Sequence, residues 1–278
     1  PRINASGRLA DAAAPVGMFL CAEPGNCHEA AIELDRMNRE RREIERGISE
    51  DAARQANGTE ASGVVVYGED WHPGVVGIVA GKLSRELNRP VVVLGREGER
   101  AKGSGRGVPG VNLVEVLSQC APLLESWGGH PMAVGVSLPL ETLSAFREQF
   151  SEAVERCAGE DCGSEPVLPI AFWVDARKLD EVLLSELAFF QPFGEGNPEP
   201  IIGVREVTLQ NPPEPFGNGH YRMQVPTRGK RWVGAVAWRQ AGSMPPAGTP
   251  IQLAGRFGWN RWNGRAFPQF EVIDWRPA

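Results

Sequence analysis

The stretch GVVVYGEDWHPGVVGIVAGKL, residues 63–83, decides the fold class. It opens with a β-branched run at 63–67, which predicts a short strand. Pro73 then begins a segment with helical apolar spacing, and proline suits the first position of a helix. His72, just before that helix, is interpreted as structural. A strand followed at once by a helix is the repeating unit of an α/β layer, so this stretch predicts an α/β domain.

The alternation of strand and helix signals continues along the chain. PVVVLG (90–95) predicts a second strand, and KGSGRG (102–107) a glycine-rich segment at a strand edge. Asn112 is expected to cap a helix over 113–127. A further strand at 132–138 and an amphipathic helix over 140–157 follow. Together these signals predict an α/β domain over residues 59–160.

The flanking segments predict three further parts. Residues 1–25 have no sustained period and are interpreted as the end of a preceding domain. A long charged helix with Asn26 as its N-cap is expected within 26–58, as a connector rather than a core element. After a polar boundary at 158–166, about five short strands and one helix predict an OB-fold barrel over 165–278. An immunoglobulin-like sandwich would have more strands and no embedded helix.

Charge is divided unevenly between these parts. Residues 1–200 hold 19 Lys and Arg against 31 Asp and Glu, a formal charge of −12, whereas residues 201–278 hold 10 against 4, a charge of +6. The C-terminal part is therefore the one whose charge suits a nucleic acid. No apolar run reaches the length of a membrane span, and five scattered cysteines are typical of reduced thiols, so a cytoplasmic protein without membrane contact is expected.

Two glycine-rich peptides are candidates for binding an anion. Ser104 and Arg106 alternate, so on an extended segment they lie on one side together with Lys102. A hydroxyl beside a guanidinium is a recurring phosphate grip. Gly128 and Gly129 precede His130 and would let the backbone approach a ligand, although this peptide by itself favours a structural turn or helix end. The sequence shows no metal-ligand motif, so no metal site is expected in this chain.

The stretch GRFGWNRWNGRAF (255–267) interleaves arginines with aromatic residues. Cations that follow a backbone and aromatic faces that stack on bases are the components of single-strand binding. The candidates are Arg256, Trp259, Arg261, Trp262 and Arg265. The alternative is that some of these aromatic side chains fill the barrel interior.

Seven stretches in order resemble one family, the RecJ single-strand-specific exonucleases of the DHH phosphoesterase superfamily. They are PRINASGRL, LDRMNRERREIE, WHPGVVGIVAGKL, RPVVVL, KGSGRG, GGHPMAVG and PFGEGNPEP. The resemblance implies an N-terminal DHH domain that binds Mn²⁺ or Mg²⁺, a connecting helix, a DHH-associated domain and an OB domain. No DHH triplet occurs here, and the chain opens with Pro1, so the resemblance implies the C-terminal portion of a longer protein.

The resemblance also implies roles for individual residues. Ser104 and Arg106 match the family's Ser-x-Arg motif, which grips phosphates at the 5′ end. Gly128, Gly129 and His130 match its Gly-Gly-His motif, with His130 as a supporting catalytic residue. Asn4 and Arg8 match a segment that lines the cleft.

The function implied by the resemblance is metal-dependent 5′-to-3′ hydrolysis of single-stranded DNA in repair and recombination, by a monomer that meets other repair proteins. A non-catalytic scaffold or nucleic-acid-binding relative is the alternative. A nuclease for short RNA is disfavoured because such relatives usually lack the OB domain.

Overall fold

The computed structural model describes residues 2–159, 167–228 and 231–278. The chain divides into two compact units, one up to Pro166 and one from Val167. The predicted boundary at 158–166 and Cys162 lie almost wholly outside the described residues, with only 158 and 159 within them. Each unit is described below by itself.

The first unit begins with three helices, α1 (Arg2–Leu9), α2 (Ala13–Leu20) and α3 (Pro24–Ala56). Residues 1–25 have no sustained period in the sequence, so α1 and α2 were not predicted there. The N-cap of α3 is Glu23, whose side chain makes no capping hydrogen bond, and Pro24 follows in the first turn. The prediction of Asn26 as the cap is therefore wrong: proline needs no N–H partner, so the helix can start three residues earlier.

The C-terminal part of α3 belongs to the core of the unit. Ile48, Ala52 and Ala56 are buried in one cluster with Val64 and Val66. The prediction of a pure connector is therefore wrong for this end of the helix. The charges that suggested a connector lie on the outer side, where they pair along the helix, as Arg36 does with Glu33 at 2.7 Å.

A five-stranded sheet organises the rest of the first unit. Its strands are β1 (Val64–Gly68), β2 (Val91–Glu97), β3 (Arg100–Arg106), β4 (Ser126–His130) and β5 (Ala133–Pro139). They lie in the order β1-β2-β3-β5-β4, and only β1 and β2 are parallel. Three helices accompany them: α4 (Pro73–Leu87), α5 (Leu113–Cys120) and α6 (Leu143–Cys157). The α/β prediction is confirmed.

The two faces of this sheet are covered by different helices. One core cluster joins Val91 and Val93 of β2 with α3 and α4, and a second joins Val92 and Leu94 with α5 and α6. Because side chains alternate along a strand, the β-branched run of β2 supplies both clusters. The face that carries α4 is the one that also carries Ser104 and Arg106, since Val91 pairs with Arg106 and Val93 with Ser104.

Two local predictions for this unit need correction. The segment KGSGRG does not lie at an edge: it belongs to β3, the central strand. The helix capped by Asn112 ends at Cys120 instead of residue 127, because a proline-containing 3₁₀ turn follows and residues 126–130 pair with β5. The cap itself is confirmed, since Oδ1 of Asn112 accepts the Val114 N–H at 3.0 Å.

The second unit is built on one seven-stranded sheet. Its elements are β6 (Phe172–Asp175), α7 (Glu181–Ala188), β7 (Ile202–Thr208), β8 (Glu214–Phe216), β9 (His220–Pro226), β10 (Trp232–Ala237), β11 (Pro250–Trp262) and β12 (Arg265–Pro277). The strand order is β6-β7-β11-β12-β10-β9-β8. Two strands more than the expected five are therefore present.

Five of these strands carry the OB pattern. The hairpin of β9 and β10 joins β12 in parallel, and β12 and β7 flank β11 in antiparallel pairing. The ladders of the described residues leave this sheet open, which fits a partly open barrel. Fully buried Tyr221, Ile251 and Phe270 form its interior. In the parts of the chain that the structure covers, no helix is both long and apolar enough to cross a membrane.

Candidate functional site

The central strand of the first unit brings the predicted phosphate-binding residues into rows. Ser104 pairs with Gly135, which pairs with Gly128, and Arg106 pairs with Ala133, which pairs with His130. Paired residues lie on one face of a sheet, so both rows are on the face that carries α4. His130 lies two strands from Arg106, about 10 Å along the row.

Helix α4 presents a stripe of glycines to this row. A methyl group at Gly77 would lie 3.2 Å from Oγ of Ser104 and 3.4 Å from Nη2 of Arg106. A methyl group at Gly74 would overlap the carbonyl of Arg8 in α1. The spacing 74, 77 and 81 puts all three glycines on one side of the helix. The absence of side chains there allows Ser104 and Arg106 to lie directly against α4.

The place where Ser104 and Arg106 lie against α4 is called the groove below, and its electrostatics favour an anion. The pKa of Arg106 is lowered, first because burial disfavours the charged guanidinium and then because the charge of Arg8 is close. Neither arginine has a carboxylate within 4 Å in the described part of the chain. Arg106 donates only to the Gly105 carbonyl, at 2.8 Å, and Arg8 to that of Gly74, at 3.4 Å. The negative charge of a bound phosphate would offset both the desolvation of Arg106 and the repulsion between Arg106 and Arg8.

Glycines also occupy the sheet positions beside Ser104. The row from Ser104 crosses Gly135 to Gly128, and a methyl group at Gly128 would meet no atom within 4 Å. Gly129 is different, because its φ of +141° and the Ala133 oxygen 2.3 Å from its methyl position exclude a side chain. Strand β4 corrects both structural interpretations of Gly-Gly-His, which were a turn and a helix end. His130 is exposed at the end of this strand.

The other candidate residues of the first unit lie around this groove in different ways. Asn4 and Arg8 are both exposed one turn apart on α1 and line a depression that reaches Gly74. Lys102 shares the face of Ser104 and Arg106, but its Nζ is 3.0 Å from the Glu97 carboxylate. The structure therefore brings Arg8 close to Arg106 and gives Lys102 an acidic partner.

The candidate residues of the second unit do not form one surface. Strand alternation on β11 places Trp262 and Arg256 on one side and Trp259 and Arg261 on the other. Arg265 pairs with Trp262 and shares its side. Trp259 borders a small cavity with Phe257 and residues of α7, whereas Trp262 is 69% exposed. Trp259 is itself 43% exposed, so it is only partly enclosed beside that cavity, while Trp262 is the more accessible of the two for stacking on a ligand.

Arg256 is occupied by acidic partners. Its guanidinium is 3.4 Å from Glu199 and 4.0 Å from Glu271, and all three side chains are partly exposed. Two carboxylates offset its positive charge, so it is poorly suited to attract a phosphate. Arg261 and Arg265 have no carboxylate within ion-pair distance in the residues that the structure covers.

A depression on the outer face of the sheet was missed by sequence reasoning. It has a volume of about 840 Å³ and is lined by Trp232, Gln224 and Gln269 among others. Trp232 is 58% exposed, and Gly234 beside it pairs with both Gln224 and Gln269. An exposed indole beside amides could stack on a base and donate hydrogen bonds. The alternation of HYRMQVP and WVGAVA was a usable signal, but the pairing of these strands was not known.

In residues 2–159, 167–228 and 231–278, no three His, Cys, Asp or Glu side chains come together as a metal site would require. The family resemblance implies the Mn²⁺ or Mg²⁺ centre for an N-terminal DHH domain, not for these residues. His72 is used as a helix cap, with Nδ1 accepting the Gly74 N–H at 3.1 Å.

Fold and site together define a region in which a DHH-associated unit precedes an OB unit. The DHHA1 domain profile matches residues 60–156, and the RecJ OB domain profile matches residues 170–274. The chain belongs to the RecJ family, and the resemblance seen in its seven motifs is confirmed.

Two relatives show how much of the family protein is present. Both are called single-stranded-DNA-specific exonuclease RecJ. The one from Bacillus subtilis is 31% identical, with 99% of this chain and 36% of the relative covered. The one from Escherichia coli K12 is 30% identical, with 99% of this chain and 49% of the relative covered. The chain therefore spans less than half the length of these relatives.

Solved structures also match this chain over less than half of their own length. RecJ from Thermus thermophilus in complex with Mn²⁺ superimposes with a TM-score of 0.82 at 26% identity, covering 100% of this chain and 40% of that chain. The same protein in complex with Mg²⁺ gives a TM-score of 0.81 at 26% identity, covering 100% of this chain and 42% of the other.

Proposed function

We propose that this chain holds the DNA strand for a longer single-strand-specific exonuclease that degrades from the 5′ end. The observation that carries the proposal is the groove in which Ser104 and Arg106 lie against Gly77. It combines a hydroxyl, a half-buried guanidinium without a carboxylate partner and a second positive charge from Arg8. A hydroxyl and two guanidinium groups are donors well suited to a terminal phosphate dianion.

Within the proposal, each side chain has a defined task. Arg106 and Ser104 bind the 5′-terminal phosphate, and Arg8 adds charge from α1. The glycine floor at 128 and 135 lets the strand lie close to the sheet, and His130 at the edge donates a hydrogen bond to a phosphate oxygen. Asn4 lines the approach from α1, and Lys102 is too close to Glu97 to contribute equally.

The second unit is proposed to bind bases farther along the strand. An OB fold binds oligonucleotides on the face of its second and third strands, which here are β9 and β10. The depression around Trp232 lies on that face, and Trp262 and Arg265 lie at the tip of the β11–β12 hairpin. Stacking contributes about 1–3 kcal/mol per base, so two exposed indoles suffice for measurable affinity.

The chemistry of bond cleavage is proposed for the longer protein. Mn²⁺ or Mg²⁺, held by residues outside this chain, would supply the hydrolysis, and the protein would act as a monomer in the cytoplasm in repair and recombination. Arg106, Ser104 and His130 would keep the strand end in place and offset charge on the phosphates. The non-catalytic relative remains the competing outcome of the tests below.

The first test compares 5′-phosphoryl and 5′-hydroxyl decathymidylate bound to the 278-residue chain in EDTA. The 5′-phosphate should strengthen binding, and Arg106→Ala should remove that advantage. Arg42→Ala is the matched control, since Arg42 is an exposed helical arginine of α3. Equal binding of both decamers by the unaltered chain would contradict the phosphate grip.

The second test uses the longer protein with Mn²⁺. Arg106→Ala should lower kcat/KM on 5′-phosphorylated single-stranded DNA by about 10–150-fold, because hydrogen bonds to a charged group contribute about 1.5–3 kcal/mol. Binding with a 5′-phosphate preference but no cleavage in Mn²⁺ would favour the non-catalytic relative.

A further inference from the structure

Arg85 continues the glycine stripe of α4. It stands four residues after Gly81, so it lies on the same side of the helix. A methyl group at Gly81 would be 3.7 Å from Nη1 of Arg85 and 3.7 Å from Cγ of Arg106. Both arginines therefore border Gly81, which lies farther along α4 from Arg8 than Gly74 and Gly77 do.

Arg85 is also without an acidic partner. Its neighbours on α4 are paired, with Nζ of Lys82 3.9 Å from Glu86. Arg85 itself is exposed and has no carboxylate within 4 Å in the residues that the structure describes. Arg8, Arg106 and Arg85 thus follow one another along α4, at Gly74, Gly77 and Gly81. A row of unpaired guanidinium groups in an acidic unit attracts a chain of anions rather than a single one.

The position of the Arg106 stem separates two binding points. Its Nη2 lies at Gly77, while its apolar Cγ lies at Gly81, the glycine that Nη1 of Arg85 also borders. Four residues of helix place Gly77 and Gly81 about 6 Å apart. We infer that Arg85 binds the second phosphate of the strand whose 5′-terminal phosphate lies at Ser104 and Arg106. This inference rests on the proposed function and extends it to an internal phosphate.

The experiment measures binding by the 278-residue chain in EDTA at several KCl concentrations. Its probes are decathymidylates with a 3′-fluorophore and either a 5′-phosphate or a 5′-hydroxyl. Arg85→Ala should weaken both decamers by about threefold to tenfold, because an internal phosphate is present in each. It should also lower the slope of log K against log salt by about 0.7, the value for one phosphate contact to a single strand. Arg85→Lys should restore the slope because it keeps the charge.

Comparison with two further variants separates this inference from the proposed function. Arg106→Ala should weaken the 5′-phosphorylated decamer alone, and Arg42→Ala should weaken neither. The inference is overturned if Arg85→Ala behaves like Arg42→Ala, or if its loss appears only with the 5′-phosphate, which would assign both arginines to one phosphate. Either result leaves the proposed function intact. The proposed function fails instead if Arg106→Ala does not change the preference for the 5′-phosphate.

Discussion

Gly77 and Gly81 form a matched pair that tests whether α4 positions the phosphate grip. Alanine is about 1 kcal/mol more favourable than glycine inside a helix, so Gly81→Ala should stabilise the first unit by about that amount. Its new methyl group would lie at ordinary contact distance, 3.7 Å from its nearest neighbours. At Gly77 the same methyl would press on Ser104 Oγ at 3.2 Å and Arg106 Nη2 at 3.4 Å. The gain in propensity should be largely cancelled there.

Binding should separate the two variants more clearly than stability. To make room at Gly77, Ser104 and Arg106 must move by a few tenths of an ångström, and charge-assisted hydrogen bonds weaken with such displacement. We expect Gly77→Ala to bind the 5′-phosphorylated decamer about 5–30-fold more weakly, which corresponds to losing about 1–2 kcal/mol from weakened bonds that each contribute about 1.5–3 kcal/mol when well formed. Gly81→Ala should bind it normally. Urea unfolding and fluorescence anisotropy give the two measurements. Equal stabilisation and undiminished 5′-phosphate preference in both variants would refute the reasoning.

Three other predictions concern separate parts of the chain. Gly129→Ala should destabilise the first unit by at least about 2 kcal/mol, because φ is +141° and the new methyl would lie 2.3 Å from the Ala133 oxygen. Gly128→Ala should change the unfolding free energy by no more than about 0.5 kcal/mol. Urea unfolding midpoints measure both effects, and similar values for the two variants would count against the strand geometry. Trp259→Ala should cost the second unit about 1–2 kcal/mol, because the apolar surface that Trp259 shares with the cavity beside α7 is lost. Trp262→Ala should instead weaken single-strand binding without changing the melting temperature, because Trp262 is 69% exposed. The reverse assignment would contradict the two-sided strand. Burial raises the pKa of the Cys120 thiol from 9.0 to about 11, so the stability that the protonated thiol contributes is complete below pH 9 and is lost as pH rises through 11. Cys120→Ala should flatten the fall in unfolding free energy between those pH values, and an unchanged pH profile would show that the thiol does not titrate there.

Local signals were enough to predict several elements of the fold. Asn112 and Pro73 mark real helix starts because a cap or a proline acts through its immediate neighbours. The spacing of Ser104 and Arg106 was also sufficient, since alternation within one strand is a local property. The aromatic and basic hairpin was recognised for the same reason, as a cluster in the sequence.

Features that depend on pairing between distant segments were not predictable. Ser126 and Trp127 lie within the helix predicted over 113–127, and they join β4 because β5 offers a partner. Trp232 gains its exposed position from the register of β10 with β9 and β12. Likewise, the spacing of Gly77 and Gly81 is visible in the sequence. That these glycines leave room for side chains of β3 is evident only once β3 is known to pack against α4.

The glycines of α4 have a consequence for the order of folding. Gly74, Gly77 and Gly81 together lower the intrinsic helix stability of a 15-residue segment by about 3 kcal/mol relative to alanine. We expect such a segment to be unstable as an isolated helix and to form only when it can pack against the valines of β1 and β2. Mutations on its inner face should therefore speed unfolding more than they slow folding. We therefore expect the contact of α4 with Ser104 and Arg106 to form late in folding and to be lost when that helix opens locally.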